Sequence, residues 1–151
     1  MIHIYTDGAA QGNPGPGGYG VILRYGTAIK ELSDGFRLTT NNRMELMAVI
    51  AGLEALTKTG IPVTIHSDSK YVVDAVEKGW LWGWEKKNFA KKANEDLWRR
   101  FIPLYKVYKP KFKWVKGHAG HPENERCDEL AVQAAQQSHL HHDTWYENNR
   151  E

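Results

Sequence analysis

The opening of the chain alternates apolar and polar residues, and this pattern predicts a strand over residues 2–7. Two further strand-like segments follow at 19–26 and 28–38, the second with the turn pair Asp34-Gly35 near its middle. Strands that follow one another so directly predict an antiparallel meander, because the connections between them are too short for a crossover helix.

The next segment changes to the period of an α-helix. Apolar residues recur at helical spacing at Leu46, Val49, Ile50, Leu53 and Leu56, which predicts an amphipathic helix over 43–58. The pattern then predicts a strand at 63–67, helices at 69–77, 80–88 and 93–106, a strand at 111–116, a loop at 117–122 and a helix at 123–137. Strands that alternate with helices indicate parallel crossovers, so we expect strand 63–67 to lie parallel to strand 2–7. The predicted class is α/β, with a five-stranded mixed sheet flanked by helices.

Length and composition favour a single cytoplasmic domain. The chain has 151 residues, and we expect one domain over residues 1–138 followed by a polar, frayed tail over 139–151. Its single cysteine, Cys127, excludes an internal disulfide and fits a reducing cytosol. We see no signal peptide, and the longest apolar run, 46–53, is too short to cross a bilayer, so no membrane partner is expected.

Positive charge is concentrated in the third quarter of the chain, although the net charge is only +2. Five lysines lie within residues 106–116 without an acid, and residues 80–100 interleave further basic residues with tryptophans. This pattern fits a nucleic acid partner. A solvated lysine face over a Trp-rich core is the alternative, and charge alone leaves both open.

Four acids lie at the edges of predicted elements. Asp7 and Asp68 end strand patterns, whereas Glu45 and Asp128 lie early in helical patterns. In the predicted sheet, Asp7 and Asp68 end neighbouring parallel strands, at the edge where open α/β sheets bind ligands. Carboxylates that converge there repel one another and need protons or a divalent cation, and such a cluster suits Mg²⁺ and phosphoryl-transfer chemistry.

Each acid also has a structural explanation on its own. Asp7-Gly8 fits a turn, Asn42 with Glu45 fits a capping box, Asp68 fits a helix cap, and Asp128 fits a surface position. It is the joint placement of all four that favours a metal site. The chain supplies oxygen ligands rather than a Cys/His set, which argues against zinc.

A glycine-rich segment satisfies a dinucleotide-binding pattern without its context. Residues 15–20 read G-x-G-x-x-G, but that motif must open a helix and here runs into strand 19–26. We therefore expect no nucleotide cofactor and interpret these glycines as turn residues.

The local strings together resemble ribonuclease H of the bacterial type 1 class. They are Tyr5-Thr6-Asp7-Gly8, Gly12 to Gly18, Thr40 to Leu46, Ser67-Asp68-Ser69, and Trp114 to Asp128. They occur in the family order over most of residues 2–137, and the ordered set is highly specific although no single string is.

The resemblance implies a ribonuclease H-like fold and an endonuclease that cleaves the RNA strand of RNA–DNA hybrids, leaving 5′-phosphate and 3′-hydroxyl ends. It implies Mg²⁺, with Mn²⁺ as a substitute, and two ions in the substrate complex. It makes Asp7, Glu45, Asp68 and Asp128 the metal-binding acids and His118 the catalytic histidine. The tract from Trp80 to Arg100 resembles the family's basic protrusion, but it is shorter, and Ala10, Lys70 and Phe89 depart from the residues common in the family.

Substrate contacts are expected around these acids and along the protrusion. Asn13, Asn41 and Asn42 could bond 2′-hydroxyls, and Thr40 and Arg43 could hold a DNA phosphate. The remaining expected contacts are Lys70, Trp80, Trp84, Lys86, Lys87, Lys91 and Lys92. Cap chemistry for the first group and a core stripe for the tryptophans are the alternatives.

Two other functions stay open at this level. A resolvase or integrase would share the carboxylate site, and an inactive module that binds hybrids or double-stranded RNA would share the basic tract. The four acids argue against the module, and the His118 loop with the basic tract favours the hybrid nuclease. From its size we expect a monomer.

Overall fold

The computed structural model describes residues 1–116 and 121–150, and it is built on one five-stranded mixed sheet. The strands are β1 (Ile2–Ala10), β2 (Gly15–Tyr25), β3 (Ala28–Thr39), β4 (Val63–Ser67) and β5 (Lys111–Trp114). Their order is β3-β2-β1-β4-β5, with antiparallel pairing from β1 to β3 and parallel pairing from β1 to β4 and β4 to β5. The predicted meander and the predicted parallel crossover are both confirmed.

Six helices accompany the sheet in the described part of the chain. They are α1 (Asn41–Glu54), α2 (Lys70–Glu77), α3 (Trp80–Lys86), α4 (Glu95–Tyr108), α5 (Pro122–Ala135) and α6 (Thr144–Asn149). The predicted break between α3 and α4 contains four non-glycine residues with positive φ, Asn88, Phe89, Lys91 and Asn94. Over residues 1–116 and 121–150, we find no helix whose length and apolar character would let it span a bilayer.

Helices cover both faces of the sheet. Side chains of Ile4 and Val21 face α1, whose Leu46, Ile50 and Leu53 are fully buried in the main core. Because successive residues of a strand point to opposite faces, Ile22 lies on the other face, where it packs with Cys127 and Leu130 of α5. The main core extends to α4 through Trp98 and Phe101, which are also fully buried.

The glycines of β2 allow α5 to approach the sheet closely. β2 begins at Gly15, so Gly18 and Gly20 are paired strand residues and not turn residues as predicted. A Cβ at Gly20 would collide with the carbonyl oxygen of Cys127, and one at Gly18 would collide with that of Ala131. Glycine is therefore required here because the helix backbone rests directly on the strand. The motif lies within β2 and does not open a helix, which is the context that a dinucleotide site requires.

The C-terminal segment departs from the expected frayed tail, because it makes specific contacts with the rest of the domain. His141 forms a β-bridge with Phe36, with main-chain hydrogen bonds from Arg37 to His141 and from His141 to Gly35. Asp143 is 4% exposed, and the Glu147 carboxylate on α6 accepts three hydrogen bonds from the Arg37 guanidinium. The polar composition of this segment misled the prediction because its contacts are polar ones made to distant residues.

Candidate active site

All four predicted acids line one cleft at the carboxyl ends of β1 and β4. Asp7 lies in β1 next to Thr6, which pairs with Ser67 of β4, and Asp68 follows directly after β4. Glu45 comes from the second turn of α1, and Asp128 comes from α5. The cleft that they share is open and has a volume of about 390 Å³.

Three of the acids form a compact trio. Carboxylate oxygens of Asp7, Glu45 and Asp68 all lie within 4.8 Å of one another. Gly8 makes this possible, because a Cβ at that position would collide with the main chain of Met44 and would lie 2.5 Å from the Glu45 nitrogen. The absence of a side chain at Gly8 lets α1 touch β1, which brings Glu45 beside Asp7. Asp128 is outside the trio but close enough for its charge to act on Asp7.

Burial and neighbouring charges raise the pKa of two of these carboxyl groups, Asp7 and Glu45. Burial, with the charges of Asp68 and Asp128, raises the pKa of Asp7 to about 7, even though the Gly8 N–H stabilises its anion. Burial, followed by the charges of Asp7 and Asp68, also raises the pKa of Glu45 well above its ordinary value. Carboxyl groups held together at this cost in free energy are typical of functional sites.

The trio has the donor set that a hard divalent cation needs. Oε1 of Glu45 and Oδ1 of Asp68 are buried and have no hydrogen-bond partner in the structure. Such orphaned oxygens are costly in a finished protein interior, and a cation would satisfy them. Mg²⁺ and Mn²⁺ take oxygen ligands of this kind, so the residues present fit such an ion.

Amide and basic side chains complete the rim of the cleft. Asn41, Asn42 and Lys70 line it and are exposed. The Asn41 carboxamide oxygen accepts a hydrogen bond from the Ala10 N–H at 2.7 Å. Asn13 lies next to this rim, since its carboxamide oxygen accepts from the Asn41 N–H at 3.1 Å. These bonds use the amide oxygens and orient both side chains.

Thr40 occupies the N-cap of α1. Its hydroxyl oxygen accepts from the Arg43 N–H at 3.2 Å, which satisfies one of the free N–H groups at the start of the helix. The capping alternative is thus realised at Thr40, and the structure leaves its predicted phosphate contact untested.

Arg43 requires a correction. Its side chain is 1% exposed, and its five N–H donors are all engaged: with Asp143 through Nε and Nη2, with Asp96 through Nη1 and Nη2, and with Asn94 through Nη1. A guanidinium with five donors has none left for a phosphate. Arg43 therefore holds the fold together, and the expectation that it binds DNA is not supported by its geometry.

The predicted protrusion forms a groove, which we call the tryptophan groove. It is lined by Gly79, Trp80, Gly83, Trp84, Lys87, Ala90 and Lys92. Trp80 is 48% exposed, whereas Trp84 is partly buried and packs edge-on against Trp98, so the core alternative holds for one of the two. Lys92 lies over the Trp84 ring, with its Nζ 5.1 Å from the ring centre. Lys91 lines a different pocket, and Lys86 lines neither that pocket nor the tryptophan groove.

Two features of the site lie outside these predictions. Tyr71 lines the cleft, and its hydroxyl accepts hydrogen bonds from Asn94 and Trp98, which connects the cleft to α4. The second feature that the sequence analysis did not predict is the C-terminal segment, whose Asp143 binds Arg43. His118 lies outside the described residues, so its predicted role stays a prediction.

The mixed sheet and its carboxylate trio define the class of protein: an α/β protein of ribonuclease H-like fold with a centre suited to divalent metal. Comparison with known proteins agrees with this class. The RNase H family model matches residues 1–136. A ribonuclease H of Desulforamulus reducens is 58% identical over 144 residues, which cover 92% of this chain and 90% of that protein.

Solved structures give the same result. LC9-RNase H1, described as a type 1 RNase H with the type 2 active-site motif, is similar with a TM-score of 0.77 and 32% identity, covering 89% of this chain and 71% of that one. LC11-RNase H1, solved in complex with an RNA/DNA hybrid, has a TM-score of 0.70 and 26% identity, covering 89% and 96%. The chain belongs to the RNase H family, as its motifs predicted.

Proposed function

We propose that this chain is an endonuclease that hydrolyses the RNA strand of RNA–DNA hybrids with two divalent metal ions, Mg²⁺ or Mn²⁺, and leaves 5′-phosphate and 3′-hydroxyl ends. The observation that carries the proposal is the trio Asp7, Glu45 and Asp68, with its unpartnered buried oxygens, facing an open cleft rimmed by amide and basic groups. The hybrid bound to LC11-RNase H1 supports the choice of substrate.

We propose a role for each acid from its position in the cleft. Asp7 is central, because Glu45 and Asp68 crowd it within the trio while Asp128 acts on it from α5. We assign Asp7 as the ligand shared by both ions and the other three acids as ligands of one ion or the other. When bound, such ions activate a water and stabilise the leaving alkoxide of an in-line displacement.

Proton transfer falls to His118 in this proposal. An imidazole with an ordinary pKa near 6.5 exchanges protons readily at physiological pH. We propose that His118 moves a proton during hydrolysis or helps the product to leave. The test is the pH–rate profile of His118→Ala, and a profile identical to the parent's would remove this role.

Choice of the hybrid rests on shape and hydroxyl recognition. Asn41 and Asn42 line the cleft, and Asn13 lies behind Asn41, so carboxamide groups face the place where an RNA strand would pass. Hydrogen bonds to 2′-hydroxyls distinguish RNA from DNA. Phosphates of the second strand would meet Thr40, Lys70 and the lysines of the tryptophan groove.

The direct test is cleavage of an end-labelled RNA–DNA hybrid in the presence of Mg²⁺, beside an RNA duplex, a DNA duplex and a four-way junction. We expect cuts within the RNA strand of the hybrid and none in the controls. Asp7→Asn is the matched variant and should abolish cutting while retaining hybrid binding. Preferential cutting of the junction would support the resolvase alternative, and cutting by Asp7→Asn at the parental rate would show that the site is misassigned.

We also propose that the protein acts as a monomer in the cytoplasm. The buried free thiol of Cys127 and the lack of an internal disulfide agree with a reducing compartment. Light scattering of the purified protein tests the oligomeric state, and a mass of two chains would contradict it.

A further inference from the structure

A second pocket lies between the protrusion and the C-terminal helix. It is lined by Lys91, Lys92, Ala93, Asn94, Trp145, Tyr146 and Asn149 and has a volume of about 470 Å³. We call it the C-terminal pocket. None of its residues from α6 was expected to have a function, because the sequence predicted a frayed tail there.

The pocket carries a positive charge that its own neighbours do not neutralise. Lys91 and Lys92 are exposed, and within the described residues neither ammonium group has a carboxylate within 4 Å. The acids of this region are already paired, since Asp96 and Asp143 bind Arg43 and Glu147 binds Arg37. An anionic ligand therefore fits the pocket better than a cationic one.

The aromatic wall of the pocket is held rigidly. The guanidinium carbon of Arg43 lies 5.3 Å from the centre of the Trp145 ring and 5.7 Å from that of Tyr146. Arg43 is itself held by five hydrogen bonds, so these rings pack against a buried cation with a defined position. The Asn149 amide further donates to the Trp145 carbonyl at 2.7 Å. Trp145 nevertheless remains 37% exposed, which leaves ring surface for a ligand.

A rigid exposed ring beside two unpaired lysines matches the chemistry of a polynucleotide backbone. Ammonium groups bind the phosphates of such a backbone, and an exposed ring offers a surface against which the adjacent sugar packs. An apolar peptide would leave the lysines without partners, and a free phosphate would leave the rings unused.

The C-terminal pocket adjoins the tryptophan groove, because Lys92 lines both. A strand that left the groove past Lys92 would next meet the pocket that contains Trp145. We propose that the C-terminal pocket is an additional binding site for the sugar–phosphate backbone of the hybrid, beyond the contacts of the cleft and the groove. This inference rests on the proposed function, and it adds Trp145 and α6 to the substrate interface.

The test measures hybrid binding by fluorescence anisotropy in the Asp7→Asn background without metal, so that the substrate stays intact. A short hybrid that covers only the cleft and the groove is compared with hybrids extended stepwise at either end. We expect Trp145→Ala to bind the short hybrid like its parent and to bind the extended hybrids at least about fivefold more weakly. Lys91→Gln should reduce the slope of log K against log salt by about 1, again only for extended hybrids.

Matched controls separate contact from damage to the fold. Tyr25→Ala removes an aromatic ring with 48% exposure, and it lies beside the β2–β3 turn at the opposite end of the sheet, so it should leave all affinities unchanged. If Trp145→Ala weakens short and extended hybrids equally, its effect is structural and the inference is overturned. Equal binding of all hybrids by parent and variant overturns it as well. If the Asp7→Asn parent binds no hybrid of any length, the proposed function itself fails.

Discussion

Arg43 and Asp143, one hundred residues apart in sequence, form a buried ion pair in which the carboxylate accepts two hydrogen bonds, at 2.7 and 2.8 Å. The pair joins the first turns of α1 to the residue before α6. Asp96 binds the other side of the same guanidinium. Arg43 is two residues from Glu45, so the C-terminal segment helps to seat the helix that presents this acid to the cleft.

Breaking this pair should be costly. We expect Asp143→Asn to lower the free energy of unfolding by about 3 kcal/mol, because it leaves a buried guanidinium short of charge, and removing one partner of such pairs typically costs 3–5 kcal/mol. The melting temperature should fall by about 6–12 °C. Urea unfolding measures this loss. The less buried pair Arg37–Glu147 is the comparison, since the Arg37 side chain is 54% exposed. Glu147→Gln should cost much less stability than Asp143→Asn, and equal losses in the two variants would contradict the special role of Arg43.

The raised pKa of Asp7 predicts how stability depends on pH without metal. The folded protein keeps a proton near pH 7 that the unfolded chain releases near pH 4. The folded state therefore binds more protons between these values, and its stability falls as pH rises through that window. Asp7→Asn removes this titrating group and one of the charges that raise the pKa of Glu45, so it should weaken the dependence and raise the melting temperature at pH 8 by a few degrees. Thermal unfolding of parent and variant in a chelator at pH 5 and pH 8 measures the pH dependence of stability in each protein. A variant as pH-sensitive as the parent would show that Asp7 does not contribute to the pH dependence of stability.

Divalent ions should stabilise the parent protein through the same acids. An ion that binds only the folded state adds about 2.7 kcal/mol at one hundred times its Kd. We therefore expect Mg²⁺ to raise the melting temperature by several degrees at pH 8 and by less at pH 6, where protons compete for the carboxylates. Asp68→Asn is the matched variant and should lose most of the gain. A sodium chloride control at equal ionic strength excludes a general salt effect, and a gain of the same size there would argue against a metal site.

Gly8 offers a test of how the trio is assembled. Its substitution by alanine forces the backbone of Met44 and Glu45 away from β1, because the added Cβ would lie 2.5 Å from the Glu45 nitrogen. We expect Gly8→Ala to lose stability by about 2–4 kcal/mol and to lose more than tenfold in hybrid cleavage. Gly83→Ala is the control for stability, since Gly83 lies in α3 with open space around its Cβ, and it should be neutral or slightly stabilising. If Gly8→Ala cleaves the hybrid at the parental rate, the position of Glu45 does not limit the rate of cleavage.

The tryptophan groove should bind the hybrid mainly by charge. Replacing Lys87 and Lys92 by glutamine removes two cations from the groove, so the slope of log K against log salt should fall by about 2. Lys30 and Lys58 are exposed and lie at an apolar cavity near the far end of the sheet, and their double replacement is the matched control with no expected change. Binding titrations at four salt concentrations give both slopes. Two equal slopes would mean that the hybrid does not pass through the groove.

The periodicity and the motifs of the sequence were sufficient to predict the sheet, the neighbouring positions of β1 and β4, and the convergence of the acids. The alternation in residues 2–7 and the spacing from Leu46 to Leu56 are local signals, and each element could be placed from its own residues. The role of Gly20 could not be predicted from its own neighbours. A glycine in a strand and a glycine in a turn look alike in the sequence until the group that packs against them, here the Cys127 carbonyl, is known.

The C-terminal segment was missed for the same physical reason. Asp143 is buried by Arg43, and nothing in the sequence around residue 143 carries an apolar period that would indicate burial. The aspartate that ends a His-rich polar run looks like solvent-exposed tail. A polar residue that is buried by one distant partner leaves no trace in its own neighbourhood, and Arg43 was assigned to DNA for the corresponding reason.

Synthesis of the chain runs from α1 to α6, so Arg43 leaves the ribosome long before Asp143 does. Until residue 143 has emerged, the guanidinium lacks two of its hydrogen bonds and the helix that bears Glu45 is incompletely anchored. A growing polypeptide therefore completes the anchoring of this helix only near the end of its synthesis. Ribosomes stalled after residue 140 has emerged should display a protease-sensitive nascent domain, and resistance at that stage would show that anchoring precedes the arrival of the last helix.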